Sequence, residues 1–250
     1  MKPLVKVLGA GLVAAGIGVV VGQQLAPKPN PIPAEPFDKL QYGNELFAKG
    51  KLLPPKVDEM TRYQLETEGQ RPFAVVVACS DSRVPPELIF NQGLGNLFVV
   101  RTAGNIVNKE NLASIEYAVE HLKASLIVVL GHTHCEIIEV AVSGKPLEGH
   151  LPSVVAHIEP VIRQLRQTHP HLKGDALKKR VTHEHVRYTM RGILERSALV
   201  RKHFEAGKVH FAGGVYHLRE GKVEWLKLPE EIESSKHEEN SDKESLHAGH

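Results

Sequence analysis

Three short runs constrain the fold of this chain more than anything else in it: FAVVVA at 73–78, NLFVV at 96–100 and SLIVVL at 125–130. None carries a charge and none alternates apolar with polar residues, so each reads as a strand covered on both faces, the pattern of parallel sheets clad by helices. Between the second and third runs, NKENLASIEYAVEHLK opens on a capping residue, Asn108, and sets Leu112, Ile115, Val119 and Leu122 on one helical face. Strand, helix, strand in that order predicts a right-handed parallel crossover. The expected fold class is therefore α/β, a mostly parallel sheet flanked by helices. An amphipathic helix precedes the first strand, with Phe37, Leu40, Leu46 and Phe47 as its apolar positions and Gly50 at its end. Further on, SVVAHIEPVIRQLRQ and HVRYTMRGILERSALVRKHFEAG read as one helix each, and KVHFAGGVYHL and KVEWLKL as two late strands joined through REG.

The first run ends in chemistry rather than in a turn. ACSDSR sets Cys79, Asp81 and Arg83 at alternate positions, where Gly, Pro or Asn would ordinarily follow a buried strand. The third run ends in GHTHC, which supplies His132 and Cys135. Ligands collect at the carboxyl ends of strands in open parallel sheets, so two strand ends can bring two thiolates and an imidazole together. Such a donor set suits zinc, and three protein ligands leave a fourth position for water, as in catalytic zinc sites. These are the only two cysteines of the chain, and in an oxidising compartment they could instead form a Cys79–Cys135 disulfide. A disulfide requires neither His132 nor the acid and base beside Cys79, which favours the metal, but spacing leaves both readings open.

Composition bounds the rest. A chain of 250 residues, 42% apolar, can bury one sizeable core, and a net charge of +2 is too mild to imply nucleic acid as a partner. The basic stretch from Arg163 to Arg191 reads as solvated helix faces. At the start, cationic MKPLVK precedes the uncharged VLGAGLVAAGIGVVVG, which is shorter than the roughly 20 residues of a spanning helix. Residues 1–26 accordingly read as a signal peptide or an N-terminal membrane anchor, and the protein as exported, periplasmic or extracellular. Residues 27–36 read as a proline-rich spacer, 37–228 as the folded domain, and 229–250 as a polar, disordered tail with almost nothing to bury.

ACSDSRVPPELIF, QGLGNLFVVRTAGNIV, SIEYAVEHLKASLIVVLGHTHC and GGVYHLREGKVEWL occur here in the order found in β-class carbonic anhydrases, and from about Phe37 to Leu228 the chain resembles that family. The resemblance implies a catalytic domain over 37–228, with zinc held by Cys79, His132 and Cys135, and reversible hydration of carbon dioxide to bicarbonate and a proton by zinc-bound hydroxide. Two thiolates cancel the charge of the ion, so another group must favour hydroxide. Asp81, an acceptor only when ionised, can take its hydrogen bond, and Arg83 can keep Asp81 ionised through a bidentate fork. Released by Arg83, Asp81 could ligate the metal itself in a closed state, so activity is expected to rise toward alkaline pH. The resemblance also places Phe98, Ala103, Gly104 and Tyr117 around the substrate, although Phe98 and Tyr117 read equally well as core side chains. It makes Gln70 an amide that reaches bicarbonate across a subunit interface, which implies a homodimer or larger homo-oligomer. Hydrolysis of carbon disulfide or carbonyl sulfide on the same scaffold remains an alternative. Two positions stand out: Glu136, where the family usually has glycine, reads as the first turn of a helix, and His134 as an exposed residue or a proton shuttle. The remaining histidines, those of THEHV at 182–186 included, read as surface residues.

Overall fold

The computed structural model describes residues 32–229 and residue 232. The leader, the first half of the spacer and nearly all of the tail lie outside the described residues. No described helix is long and apolar enough to cross a membrane.

Strands β1 (Ala74–Ala78), β2 (Leu97–Arg101), β3 (Leu126–His132), β4 (His210–Tyr216) and β5 (Val223–Trp225) form one sheet in the order β2-β1-β3-β4-β5. The first four run parallel and β5 pairs antiparallel with β4. Every position of β1 and of β3 is buried, as runs without alternation require. From β1 the chain moves outward to β2 on one side, then returns to β3 on the other. The carboxyl ends of β1 and β3 therefore border a topological switch point, where the connections part and leave a crevice. Ala78 pairs with Leu130, which brings Cys79 level with the end of β3.

The helices are α1 (Pro36–Ala48), α2 (Glu59–Glu68), α3 (Pro86–Ile89), α4 (Lys109–Glu120), α5 (Glu136–Ser143), α6 (Leu151–Val155), α7 (Glu159–Thr168), α8 (Gly174–Arg196) and α9 (Ala198–Glu205). Val75, Val77, Ile127 and Val129 face one core with Ile115 and Val119 of α4, Met190 and Ile193 of α8 and Phe204 of α9. Ala74, Val76, Val128 and Leu130 face the other, with Leu40 of α1 and Ile89 of α3. A third apolar cluster, built from α5, α7 and the start of α8, closes over Cys79 and Cys135.

Both long late helices of the sequence reading are broken. Pro160 stands in the first turn of α7, where its missing N–H does no harm, and the helical run before it stops at Val155. At Ser197 the backbone turns extended and its side chain caps α9, accepting from the Val200 N–H, while its hydroxyl donates to Glu116 at 2.6 Å. Helix α2 has no buried residue and so no apolar stripe to announce it; its sequence signal is the Asp58 cap. Of the tail, Ile232 is fully buried, in the core cluster that holds Met190 and Ile193.

Gly43 shows how tightly α1 lies on the segment after α3: a Cβ there would overlap the Phe90 carbonyl oxygen. Alanine improves helix propensity over glycine by about 1 kcal/mol, but forcing atoms into a packed contact costs roughly 1–3 kcal/mol and occasionally more. Sterics should win. Gly43→Ala is expected to lower the urea midpoint, and a midpoint that rises would show that α1 does not pack as described.

Candidate metal centre

Each half of the site is set by the backbone leading into it. Cys79 leaves β1 into a turn pinned from β2, where Arg101 donates from Nε to the Cys79 carbonyl at 3.0 Å and from Nη2 to the Asp81 carbonyl at 2.6 Å. His132 is the last residue of β3, and the next N–H, that of Thr133, donates to the Tyr216 carbonyl at the end of β4. Cys135 then takes the N-cap position of α5 with an extended backbone.

The two sulfurs and a His132 ring nitrogen lie within 4.8 Å of one another, the one group of this kind among the described residues. Cys79, Cys135 and His132 are 4%, 3% and 0% exposed, so water does not serve their polar atoms. His132 Nδ1 lies 3.0 Å from the Thr133 carbonyl oxygen, which can only accept, so the ring proton sits on Nδ1 and Nε2 is bare. That bare Nε2 is buried and has no hydrogen-bond partner. Both cysteines are free. Soft sulfurs with a bare imidazole nitrogen, whose other nitrogen is oriented by a carbonyl, fit a zinc ion held by three protein ligands.

The thiols titrate together. Cys79 is drawn down to about 4, chiefly by a hydrogen bond from Cys135 and against the effect of burial. Cys135 is pushed up by that same contact and by burial, although the Ile138 and Ile137 N–H groups at the start of α5 favour its thiolate. In this arrangement the Cys135 thiol donates its proton's hydrogen bond to the Cys79 sulfur.

Beside them, Arg83 grips Asp81 with a fork: Nε to Oδ1 at 2.9 Å and Nη2 to Oδ2 at 2.6 Å, with the Arg83 backbone N–H adding a third bond to Oδ1. Chiefly through this side-chain hydrogen bond, the Asp81 pKa falls to about 2 while burial opposes the shift. Arg83 Nη2 also donates to the His134 carbonyl, so one guanidinium ties the two strand ends together. Asp81 Oδ2 lies 3.9 Å from His132 Nε2, adjacent to the donor set but committed to Arg83.

The other residues singled out from sequence divide. Gly104 joins the centre, its N–H donating to Cys79 Sγ at 3.3 Å, and it adopts φ 71°, the left-handed region that favours glycine. Ala103 precedes it, half-buried. Phe98 and Tyr117 form an aromatic pair between β2 and α4, and Tyr117 is exposed. Gln70 is exposed in the loop before β1. Glu136 opens α5 with its side chain in solvent, where its charge helps keep Arg83 cationic. His134 is exposed, its Nδ1 3.7 Å from Glu139. The surface reading of THEHV fails at His185, which is 1% exposed. Burial of a histidine on a charged helix carries no sequence signal beyond its place, one residue before Val186, on the face that meets the sheet. Arg101 was missed because an arginine at a strand end usually only meets water.

A parallel α/β sheet that gathers two thiols, a bare imidazole nitrogen and an arginine-clamped carboxylate at its switch point defines a class: α/β proteins with a nitrogen and sulfur metal site at the strand ends. Within that class the comparisons agree. The family model described as "Carbonic anhydrase" matches residues 74–223. The carbonic anhydrase of Mycolicibacterium smegmatis is 39% identical over 201 residues, covering 78% of this chain and 94% of that protein. Among solved structures, the β-carbonic anhydrase CcaA superposes with a TM-score of 0.62 at 27% identity, covering 78% of this chain and 93% of that one. Tetrameric β-carbonic anhydrases from Sordaria macrospora share the fold at a TM-score of 0.60 and 24% identity, with 67% of this chain and 91% of that chain covered. The chain belongs to the carbonic anhydrase family, in its β class.

Metal uptake must displace the thiol proton of Cys135. Affinity for zinc should therefore weaken as pH falls, by about tenfold per unit for each proton released. Chelator competition at several pH values measures the slope, and a flat response would mean that the thiols are not the ligands.

Proposed function

We propose that this chain is a zinc-dependent carbonic anhydrase that interconverts carbon dioxide with bicarbonate and a proton. The observation that carries the proposal is the bare, buried His132 Nε2 placed with two free cysteines beside the Asp81–Arg83 pair, in a chain of this family. A zinc ion bound by Cys79, His132 and Cys135 would supply a Lewis acid that makes water a nucleophile near neutral pH. The protein's own groups supply direction. Asp81, ionised and therefore an acceptor only, takes the hydrogen bond of the attacking oxygen's O–H and aims its lone pair at carbon. Arg83 holds the carboxylate in that role and keeps it turned from the metal. Ala103 and Gly104 line the space beside Cys79, and the apolar cluster of Ile106, Ile138 and Ile158 around the sulfurs excludes bulk water.

In this proposal Phe98 and Tyr117 lie near the substrate, and Gln70 acts across an interface between copies of the chain. Two features support a homo-oligomer. Strand β2 is the outer strand of the sheet, with one side of its backbone unpaired. Large apolar side chains are exposed in the segments around it: Met60, Tyr63, Leu88 and Leu94. Sedimentation should find two or more chains per particle; a fully active monomer would remove the neighbour's part. The leader reading of residues 1–26 places the enzyme outside the cytoplasm, and recovery from the cytosolic fraction alone would overturn it.

Cys79→Ser and Cys135→Ser should lose zinc and carbon dioxide hydration together. Asp81→Ala should keep zinc and lose hydration by roughly 10²-fold or more, the usual range for a group that handles protons. Retained hydration in that variant would end the role given to Asp81. Because the Asp81 pKa is depressed to about 2, its charged form adds stability above the ordinary aspartate range and loses it only as pH falls from about 4 toward 2. Asp81 should accordingly contribute no titration to activity between pH 5 and 9; independently, activity should rise toward alkaline pH as hydroxide becomes available, and a mildly acidic optimum would contradict this.

A further inference from the structure

His185 is the buried histidine of THEHV, and its contacts lead to the metal centre. It lies on α8 with 1% exposure, and its Nε2 is 2.8 Å from the Gly104 carbonyl oxygen, 81 residues away in the chain. A carbonyl oxygen only accepts, so Nε2 carries the proton and donates. Burial lowers the His185 pKa to about 4, which leaves the ring neutral and in this one tautomer under ordinary conditions. Gly104 is thus held at both ends, its carbonyl by His185 and its N–H on Cys79 Sγ at 3.3 Å.

Glycine is the residue least able to hold itself in one conformation. Gly104 sits at φ 71° and ψ 23°, and an added Cβ would press on Ile158 and Ile137 at 3.2 and 3.3 Å. Substitution by a stiffer residue is therefore closed, and the left-handed turn must be fixed from outside. We infer that His185 is a positioning residue of the metal centre: by clamping the Gly104 carbonyl it fixes the Gly104 N–H on the Cys79 sulfur, and so stabilises the thiolate that binds the metal. The inference rests on the zinc reading above and deepens it. Outer partners of this kind usually change metal affinity 10- to 100-fold when removed.

The alternative is that His185 merely fills space under α8. Two substitutions separate the readings in the full-length chain. His185→Leu keeps an apolar volume there and removes the donor. His185→Gln places an amide N–H where Nε2 stood. Zinc affinity is measured by chelator competition, and cobalt(II) loaded in place of zinc reports the sulfur-to-metal charge-transfer band; neither depends on carbon dioxide turnover. Thermal melting and circular dichroism establish that each variant folds. We expect His185→Leu to weaken zinc binding by about tenfold or more and to shift the cobalt band, and His185→Gln to restore both. A folded His185→Leu protein with parental affinity and spectrum overturns the inference, as does a folded His185→Gln protein no better than the leucine variant. Should the leucine variant fail to fold, His185→Asn, polar but too short to reach Gly104, takes its place with the same two outcomes. A parent chain that takes up neither metal overturns the zinc reading and the inference with it.

Discussion

His132 Nε2 is an acceptor sealed from water without a protein partner, and a buried polar atom in that state costs roughly 1–3 kcal/mol. The chain does not avoid this cost; it builds toward it. The tautomer is fixed by the Thr133 carbonyl, Thr133 is fixed by β4, and the residue itself ends the central strand β3. A nitrogen held bare by three successive constraints is prepared for a ligand that donates no hydrogen bond, and two sulfurs stand beside it. Much else in the fold serves to bring Cys79 there. The return of the chain from β2 to β3 makes β1 and β3 neighbours, and their register sets the first cysteine against the end of the second strand.

How much of this could be read from sequence follows from which forces leave a linear trace. FAVVVA and SLIVVL announced themselves because a strand covered on both faces must be apolar at every position, and both are buried throughout. The donor set was legible because cysteine and histidine are scarce where strands end. Helix α2 left only its Asp58 cap as a trace, since it has no fully buried residue and so no apolar stripe. The break at Ser197 was hidden for another reason: the capping hydroxyl is bonded to Glu116, a residue 81 positions earlier. His185 was misread for the same reason. Its neighbours on α8, Glu184 and Arg187, form a half-buried i,i+3 ion pair, and the fact that turns it inward, the Gly104 carbonyl, belongs to a distant loop.

Long-range contacts of that kind also explain why the two halves of the site behave as one. Arg83 is placed by the first strand end, yet it donates to the His134 carbonyl on the second. Arg101, from the neighbouring strand, holds the backbone carbonyls on either side of the turn that carries Asp81. The carboxylate is thus oriented by a guanidinium that is itself oriented by the loop containing the other ligands.

Glu136 fits the same logic. A carboxylate next to Cys135 could compete for an ion held there, whose charge two thiolates would already balance. Its position at the first turn of α5 sends the side chain to solvent, where it complements the helix dipole and adds to the field that keeps Arg83 cationic. The negative charge that glycine would lack is therefore spent outside the centre, on the residue that restrains Asp81.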